Sequence, residues 1–149
     1  MKKSVFILSA ALMLFSVFAF ATDSDKVNAR VKSAFLNDFT TASNVSWELL
    51  KDFYFATFIL NNIEVSAAYN EQGELVGTSR TIERSQLPII LSMALDKKYE
   101  GYTISKKALE LAFEGATRYY ITVYNDKQAL KLKCSPDGNI DVERKIKRK

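Results

Sequence analysis

The spacing of apolar residues changes along the chain and predicts a helix followed by strands. From Asp25 to Phe39, apolar residues recur at every fourth position, which is typical of an amphipathic helix. From Val45 to Ile82 the period shortens to two, and turn signals occur at Asn61-Asn62 and Glu71-Gln72-Gly73. This second segment therefore predicts antiparallel strands joined by hairpins.

A second helix is predicted from about Gln86 to Tyr99. Ser85 is a suitable N-cap, Pro88 is tolerated in a first turn, and Gly101 ends the helix. After Gly101 the chain returns to the period of strands. The pattern of one helix and then strands is thus predicted to occur twice.

The two strand regions align without a gap after a shift of 65 residues, which places Tyr54–Phe58 on Tyr119–Val123 and Gly73 on Gly138. We interpret this match as an internal duplication. Residues 22–84 are then a first helix-plus-sheet repeat, and residues 85–149 are a second repeat that ends in a basic tail. The predicted fold class is α+β, with two tandem units in one compact domain and with the helices on one face of antiparallel sheet.

The segment from Ser105 to Gly115 is ambiguous because its residues are good helix formers. Its position in the repeat matches the strand that starts at Val45. We therefore predict a strand, with Ala108, Glu110 and Ala112 on one face.

Alternation divides the strands into two faces. One face is almost entirely apolar and should lie under the helices, with Cys134 as a small core residue. The other face mixes aromatic and charged side chains, which suits recognition, although cross-strand aromatic pairs could serve stability alone. The candidate binding residues are Phe53, Phe55, Tyr120, Tyr124, Lys131 and Lys133, with Trp47, whose side of the sheet the pattern leaves open.

The N-terminus has the form of a secretory signal peptide over residues 1–21. Lys2 and Lys3 precede an apolar run from Val5 to Phe18, and Ala19-Phe20-Ala21 fits the cleavage pattern. The alternative is an uncleaved membrane anchor, because the run is close to the minimum length for a span. We expect cleavage, a periplasmic or secreted protein, and no stable membrane anchor afterwards.

Charge and composition limit the classes of function that the protein could have. The 149-residue chain has a net charge of +4, and removal of Lys2 and Lys3 leaves +2. Nucleic acid is a poor partner for an exported protein with so little net charge. The chain has no histidine, so the commonest general base and metal ligand are missing, and we expect neither enzyme activity nor a cofactor. A carboxylate pair such as Glu64 with Glu143 requires that strand pairing brings the two together.

The order of motifs along the chain resembles that of the PepSY-like proteins, which are grouped structurally with β-lactamase inhibitor protein and are frequent among secreted proteins of Bacteroidetes. The resemblance implies helices packed on antiparallel sheet in two tandem units, with a curved, aromatic-rich sheet face available for binding. The motifs that carry it are Phe39, Ala42–Trp47, Tyr54-x-Ala-x-Phe58, Ala68–Leu75, Leu87-Pro88 and Tyr99-x-Gly101-Tyr102.

Two hypotheses follow for function. The first is an exported, non-catalytic binding module, inhibitor-like or chaperone-like, that binds another exported protein through the aromatic face. The alternative is a binder of an anionic cell-envelope component through Lys131, Lys133 and the basic tail.

Overall fold

The computed structural model describes residues 26–148, so the predicted signal peptide lies outside the described residues. Within them, the chain forms helix α1 (Ala29–Asp38), helix α2 (Ile89–Lys98) and eight strands. A one-turn 3₁₀ helix, Arg84–Gln86, precedes α2. The strands are β1 (Ser43–Leu50), β2 (Phe53–Leu60), β3 (Ile63–Asn70), β4 (Leu75–Glu83), β5 (Thr103–Phe113), β6 (Ala116–Tyr124), β7 (Gln128–Cys134) and β8 (Ile140–Lys147).

The eight strands form one open antiparallel sheet in sequence order, β1 to β8. The prediction of two tandem helix-plus-strand units is therefore wrong. The prediction failed because α2 interrupts the strand pattern of the sequence between β4 and β5. In the folded sheet, β4 and β5 are nevertheless neighbours.

The chain divides into two compact units, which we call the first unit (up to Ser79) and the second unit (from Arg80). In the first unit, α1 packs on the sheet through an aromatic core. The Phe35 ring lies 5.2 Å from the Trp47 ring and 5.0 Å from the Phe58 ring, both edge-on. Such edge-to-face contacts add to the area that the rings bury.

The second unit has its own core, which is mainly aliphatic. Leu91 and Leu95 of α2 are fully buried against the sheet. The strands contribute residues at alternate positions, as expected for a sheet with one face under a helix. These core residues are Ala108, Tyr119, Ile121, Val123, Leu130, Leu132, Cys134 and Ile140.

Helix α1 begins later than the sequence pattern indicates because Asn28 caps it. The Asn28 Oδ1 atom accepts a hydrogen bond from the Val31 N–H at 2.8 Å, and its Nδ2 atom donates to the Glu71 carbonyl at 3.2 Å. The cap thus satisfies one free N–H of the first turn and also ties the helix to the β3–β4 turn.

The predicted cap of α2 is wrong. Ser85 lies inside the 3₁₀ turn, Pro88 occupies the N-cap position, and α2 starts at Ile89. The 3₁₀ turn is closed by its own reciprocal cap, in which the Glu83 N–H donates to the Gln86 side chain at 2.8 Å. That local capping stabilises the turn ahead of the proline and delays the helix.

The predicted hairpin at Asn61-Asn62 is confirmed. Both asparagines have positive φ, 51° and 63°, as a tight turn between two twisted strands requires. The ambiguous segment from Ser105 to Gly115 forms most of β5, and the strand prediction is confirmed.

The C-terminal segment, predicted as a basic tail, forms strand β8, and its residues from Asp141 onward are exposed. Strand β8 pairs with β7 along its length except at a bulge in β8, where Glu143 is the extra residue opposite the step from Lys131 to Leu132 of β7. After β8, the Arg148 N–H donates to the Lys127 carbonyl at 3.1 Å. Basic residues of the predicted tail are thus held at fixed positions along a sheet edge.

Candidate binding surface

Within the described residues 26–148, each unit has one α-helix, which packs on one side of its strands. We call the other side the helix-free face of that unit. On the helix-free face of the first unit, strand register places Glu48, Phe55 and Ala68 in one row and Ser46, Thr57 and Ser66 in the next.

Two of the three residues in the first row are buried. Phe55 is 1% exposed and Ala68 has no exposed surface, so the prediction that Phe55 lies on an exposed surface is wrong. The alternation placed Phe55 on the correct face, but alternation reports direction and not solvent access. Phe53, Thr57 and Ile59 of the same strand remain half-exposed.

Trp47 does not lie on the helix-free face. Its ring packs edge-on against Phe35 in the core of the first unit, and the side chain is buried. The sequence left its side open, and the structure shows an irregular register between Ser43 and Ser46, just before Trp47.

The helix-free face of the second unit carries a row that runs from Leu109 through Tyr120 and Lys133 to Asp141. Tyr120 is only 4% exposed, so the prediction of an exposed aromatic ring is wrong here too. Burial, together with a smaller contribution from the Glu143 carboxylate and against the opposing effect of Arg118, raises the pKa of Tyr120 to about 12. The phenol therefore stays protonated in the physiological range.

Lys131 and Lys133 are half-exposed on this face, as predicted from alternation. The bulge places Arg144 opposite Lys131, whereas Asp141 lies opposite Lys133. Positive charges dominate the face near Lys131, and acidic side chains balance them near Lys133.

Tyr124 is half-exposed and lies under a cation. The Arg148 guanidinium lies 5.1 Å from the centre of the Tyr124 ring, and its Nη1 atom donates to the Asn125 carbonyl at 3.2 Å. This cation–π contact joins an aromatic ring and a fixed positive charge at one end of the face.

From the sequence, Arg144 and Arg148 belong only to a basic tail and have no assigned position on this face. Because of the bulge, Lys145 lies opposite Leu130 on the helix side, although strict alternation assigns it to the helix-free face. No glycine or proline lies in β8 to signal the bulge, so the sequence offered no marker for it.

The carboxylate pair considered from the sequence is not formed by strand pairing. Glu64 lies on β3 and Glu143 on β8, and these strands are not neighbours, so strand pairing does not bring the two carboxylates together. In the part of the chain that the structure describes, no group of three or more Asp, Glu, Cys or His side chains could hold a metal ion. The same residues, 26–148, include no helix that is long and apolar enough to cross a membrane.

The fold has counterparts among solved structures from Bacteroides. A BLIP-like protein from Bacteroides fragilis NCTC 9343 is 17% identical, with a TM-score of 0.67 over 82% of this chain and 88% of that chain. A DUF2874 family protein from Bacteroides ovatus ATCC 8483 is 20% identical, with a TM-score of 0.69 over 83% and 89%. The chain has the fold of these proteins.

A protein from Bacteroides eggerthii DSM 20697 that is described as periplasmic shares the same fold, with 18% identity and a TM-score of 0.68 over 81% of this chain and 88% of that chain. These structures support the resemblance to BLIP-like proteins, and the resemblance to PepSY-like proteins stays a prediction. No protein-family model and no curated protein matches the sequence.

Proposed function

We propose that the protein is an exported, non-catalytic binding module that recognises another extracytoplasmic protein through the helix-free faces of its sheet. One observation carries the proposal. On these faces, half-exposed aromatic and apolar side chains such as Phe53, Ile59 and Tyr124 alternate with polar and charged ones. Protein interfaces commonly combine aromatic anchors with such a polar surround.

The solved structures of the same fold support an extracytoplasmic binding protein. One protein of the same fold is described as periplasmic and another as BLIP-like. A periplasmic or secreted location also agrees with the signal peptide predicted over residues 1–21. An inhibitor-like or chaperone-like role in binding needs no catalytic residue.

The choice of residues for a test follows from burial. Phe55 and Tyr120 are unsuitable, because truncation of a buried aromatic side chain costs about 3–5 kcal/mol of stability and would unfold the bait. Phe53 and Tyr124 are half-exposed, so both can be replaced with a smaller effect on the fold.

The test is capture of a partner from a periplasmic extract of the producing bacterium. The double variant Phe53→Ala, Tyr124→Ala should retain less than a tenth of the partner that the wild type captures. The matched control is Leu36→Ala, Met93→Ala, which removes two exposed apolar side chains from the helices and should leave capture unchanged. Equal capture by both variants would refute the proposal, provided that thermal unfolding shows both baits folded.

A second candidate function is binding of an anionic envelope component through Lys131, Lys133 and the basic residues of β8. The observation that favours it is the placement of Arg144 directly opposite Lys131 on the helix-free face of the second unit. Adjacent cations of this kind attract anionic polymers, and salt screens the attraction.

The salt dependence of binding tests the second candidate. Binding to purified lipopolysaccharide should weaken at least tenfold between 50 and 500 mM salt, on the order expected for screened surface charges. Lys131→Glu with Lys133→Glu should abolish it, whereas the charge-matched control Lys97→Glu with Lys106→Glu should retain it, because both control lysines are exposed elsewhere in the second unit. Binding that does not change with salt would rule out this function.

A further inference from the structure

Strand β8 is an edge of the sheet. Among the described residues its strand neighbour is β7, and every side chain from Asp141 to Lys147 is exposed. An edge strand has backbone N–H and C=O groups that are free to pair with a further strand. The free backbone groups of this edge are distinct from the half-exposed side chains, such as Phe53 and Tyr124, on which the proposed function rests.

The charges of β8 are divided between its two halves. Asp141 and Glu143 lie in the first half, and Arg144, Lys145 and Lys147 lie in the second. Edge strands that carry one sign of charge repel their own copies, which protects the edge. In β8, by contrast, antiparallel pairing with a second copy brings each acidic half against a basic half.

The bulge gives β8 a mirrored pattern of faces. Before it, Ile140 and Val142 lie opposite Cys134 and Leu132 on the helix side, whereas Asp141 lies opposite Lys133 on the helix-free face. After it the parity is reversed. The helix-side positions are Ile140, Val142, Lys145 and Lys147, and the positions on the other face are Asp141, Glu143, Arg144 and Ile146.

This mirrored pattern selects one register for pairing of β8 with itself. Residues directly opposite each other in a sheet must lie on the same face. Among antiparallel registers that pair four or more residues of each strand, only one meets this condition throughout, and in it Glu143 lies opposite Arg144 of the second copy. The same register places Val142 opposite Lys145 and Asp141 opposite Ile146.

We propose that two copies of the chain pair through β8, antiparallel and about a two-fold axis between Glu143 and Arg144. The symmetry makes the interface self-complementary, so the Glu143–Arg144 ion pair forms twice. Pairing also brings Val142 and Ile146, which are 52% and 48% exposed, beside the partner strand. Opposite charges placed directly across two strands favour pairing, and like charges oppose it.

The test is charge reversal, followed by sedimentation of the protein as exported and purified from cells that express the full-length gene. The wild type should form a dimer with a measurable dissociation constant. Glu143→Arg and Arg144→Glu, made singly, should each raise that constant at least tenfold, because each places like charges opposite each other twice. The double variant with both substitutions should restore the dimer, because the ion pair is re-formed with its signs exchanged.

Matched controls separate this interface from a general effect of charge. Glu100→Arg and Lys97→Glu make the same changes of charge at exposed positions away from β8 and should leave the dimer intact. A monomeric wild type at all concentrations overturns the proposal. So does a dimer that survives the single reversals, or a double variant that stays monomeric.

The register is tested independently by cysteine cross-linking. Val142→Cys with Lys145→Cys should give a covalent dimer on oxidation, because these two positions lie directly opposite each other across the proposed interface. The pair Val142→Cys with Arg144→Cys is out of register and should not cross-link. Equal cross-linking of the two pairs overturns the proposed register.

Discussion

Cys134 is the clearest case of a side chain whose chemistry is decided by its surroundings. The thiol lies in the core of the second unit, on the helix side of β7. Burial, together with a smaller contribution from the Asp141 carboxylate and against the opposing effect of Lys98, raises its pKa to about 11. Since the thiolate is the reactive form, this cysteine is an inert packing residue at neutral pH.

The raised pKa of Cys134 predicts a loss of stability in alkali. In the unfolded chain the thiol ionises near its ordinary pKa of 9.0, whereas in the folded protein it stays protonated up to about 11. The free energy of unfolding should therefore fall as the pH rises from about 9 to 11, by on the order of 2 kcal/mol from this group. Urea titrations at pH 7 and pH 10.5 measure the fall. It should be smaller in Cys134→Ala, and an equal fall in both proteins would contradict the assigned cause.

Gly73 combines a positive φ with close packing. Its φ is +79°, and a Cβ atom there would lie 3.1 Å from Arg30 Cγ and 3.2 Å from the Arg30 carbonyl oxygen of α1. Gly101 has a similar φ of +81° but open space around it. Gly73→Ala should cost about 2–3 kcal/mol and Gly101→Ala about 1 kcal/mol, because only the first adds crowding to the backbone strain. Equal midpoints of urea unfolding for the two variants would show that the close packing is unimportant.

At the level of elements, a turn or a helix end could be predicted where the nearby sequence contains a signal for it. Asn61 and Asn62 tolerate positive φ, so that hairpin could be predicted. The cap of α1 is local, because Asn28 accepts from the Val31 N–H three residues on, but the tie from Asn28 to the Glu71 carbonyl spans 43 residues and is contained in no local pattern. The bulge in β8 is likewise set by pairing with β7 and has no marker in the sequence.

Asn28 both caps α1 and ties it to Glu71, so its replacement should lower the stability of the protein. Asn28→Ala should lower the free energy of unfolding by about 1 kcal/mol or more, because the first turn of α1 loses its cap and the tie to Glu71 is broken. Asn37→Ala is the matched control, since Asn37 is exposed near the other end of α1 and should change stability by about 0.5 kcal/mol or less. Thermal unfolding followed by circular dichroism distinguishes the two. Equal losses would contradict the capping role.

For the whole molecule, the direction of side chains could be predicted from the sequence, but the number of sheets and the exposure of each face could not. Alternation placed Phe55 and Tyr120 opposite the helices, yet both are buried. Whether β4 and β5 are neighbours depends on long-range pairing across α2, which periodicity does not contain. The candidate surface is therefore carried by the half-exposed residues Phe53, Tyr124 and Lys131 and not by the most buried aromatic rings.

Site-specific photo-crosslinking in the producing bacterium tests most directly whether the protein works by contact through its helix-free faces. A photoreactive amino acid is placed at position 53 or 124 on those faces, or at position 36 or 93 on the helices. We predict covalent adducts with one extracytoplasmic protein from positions 53 and 124 and none with it from positions 36 and 93. Adducts that form only from the helix positions would contradict the proposed function.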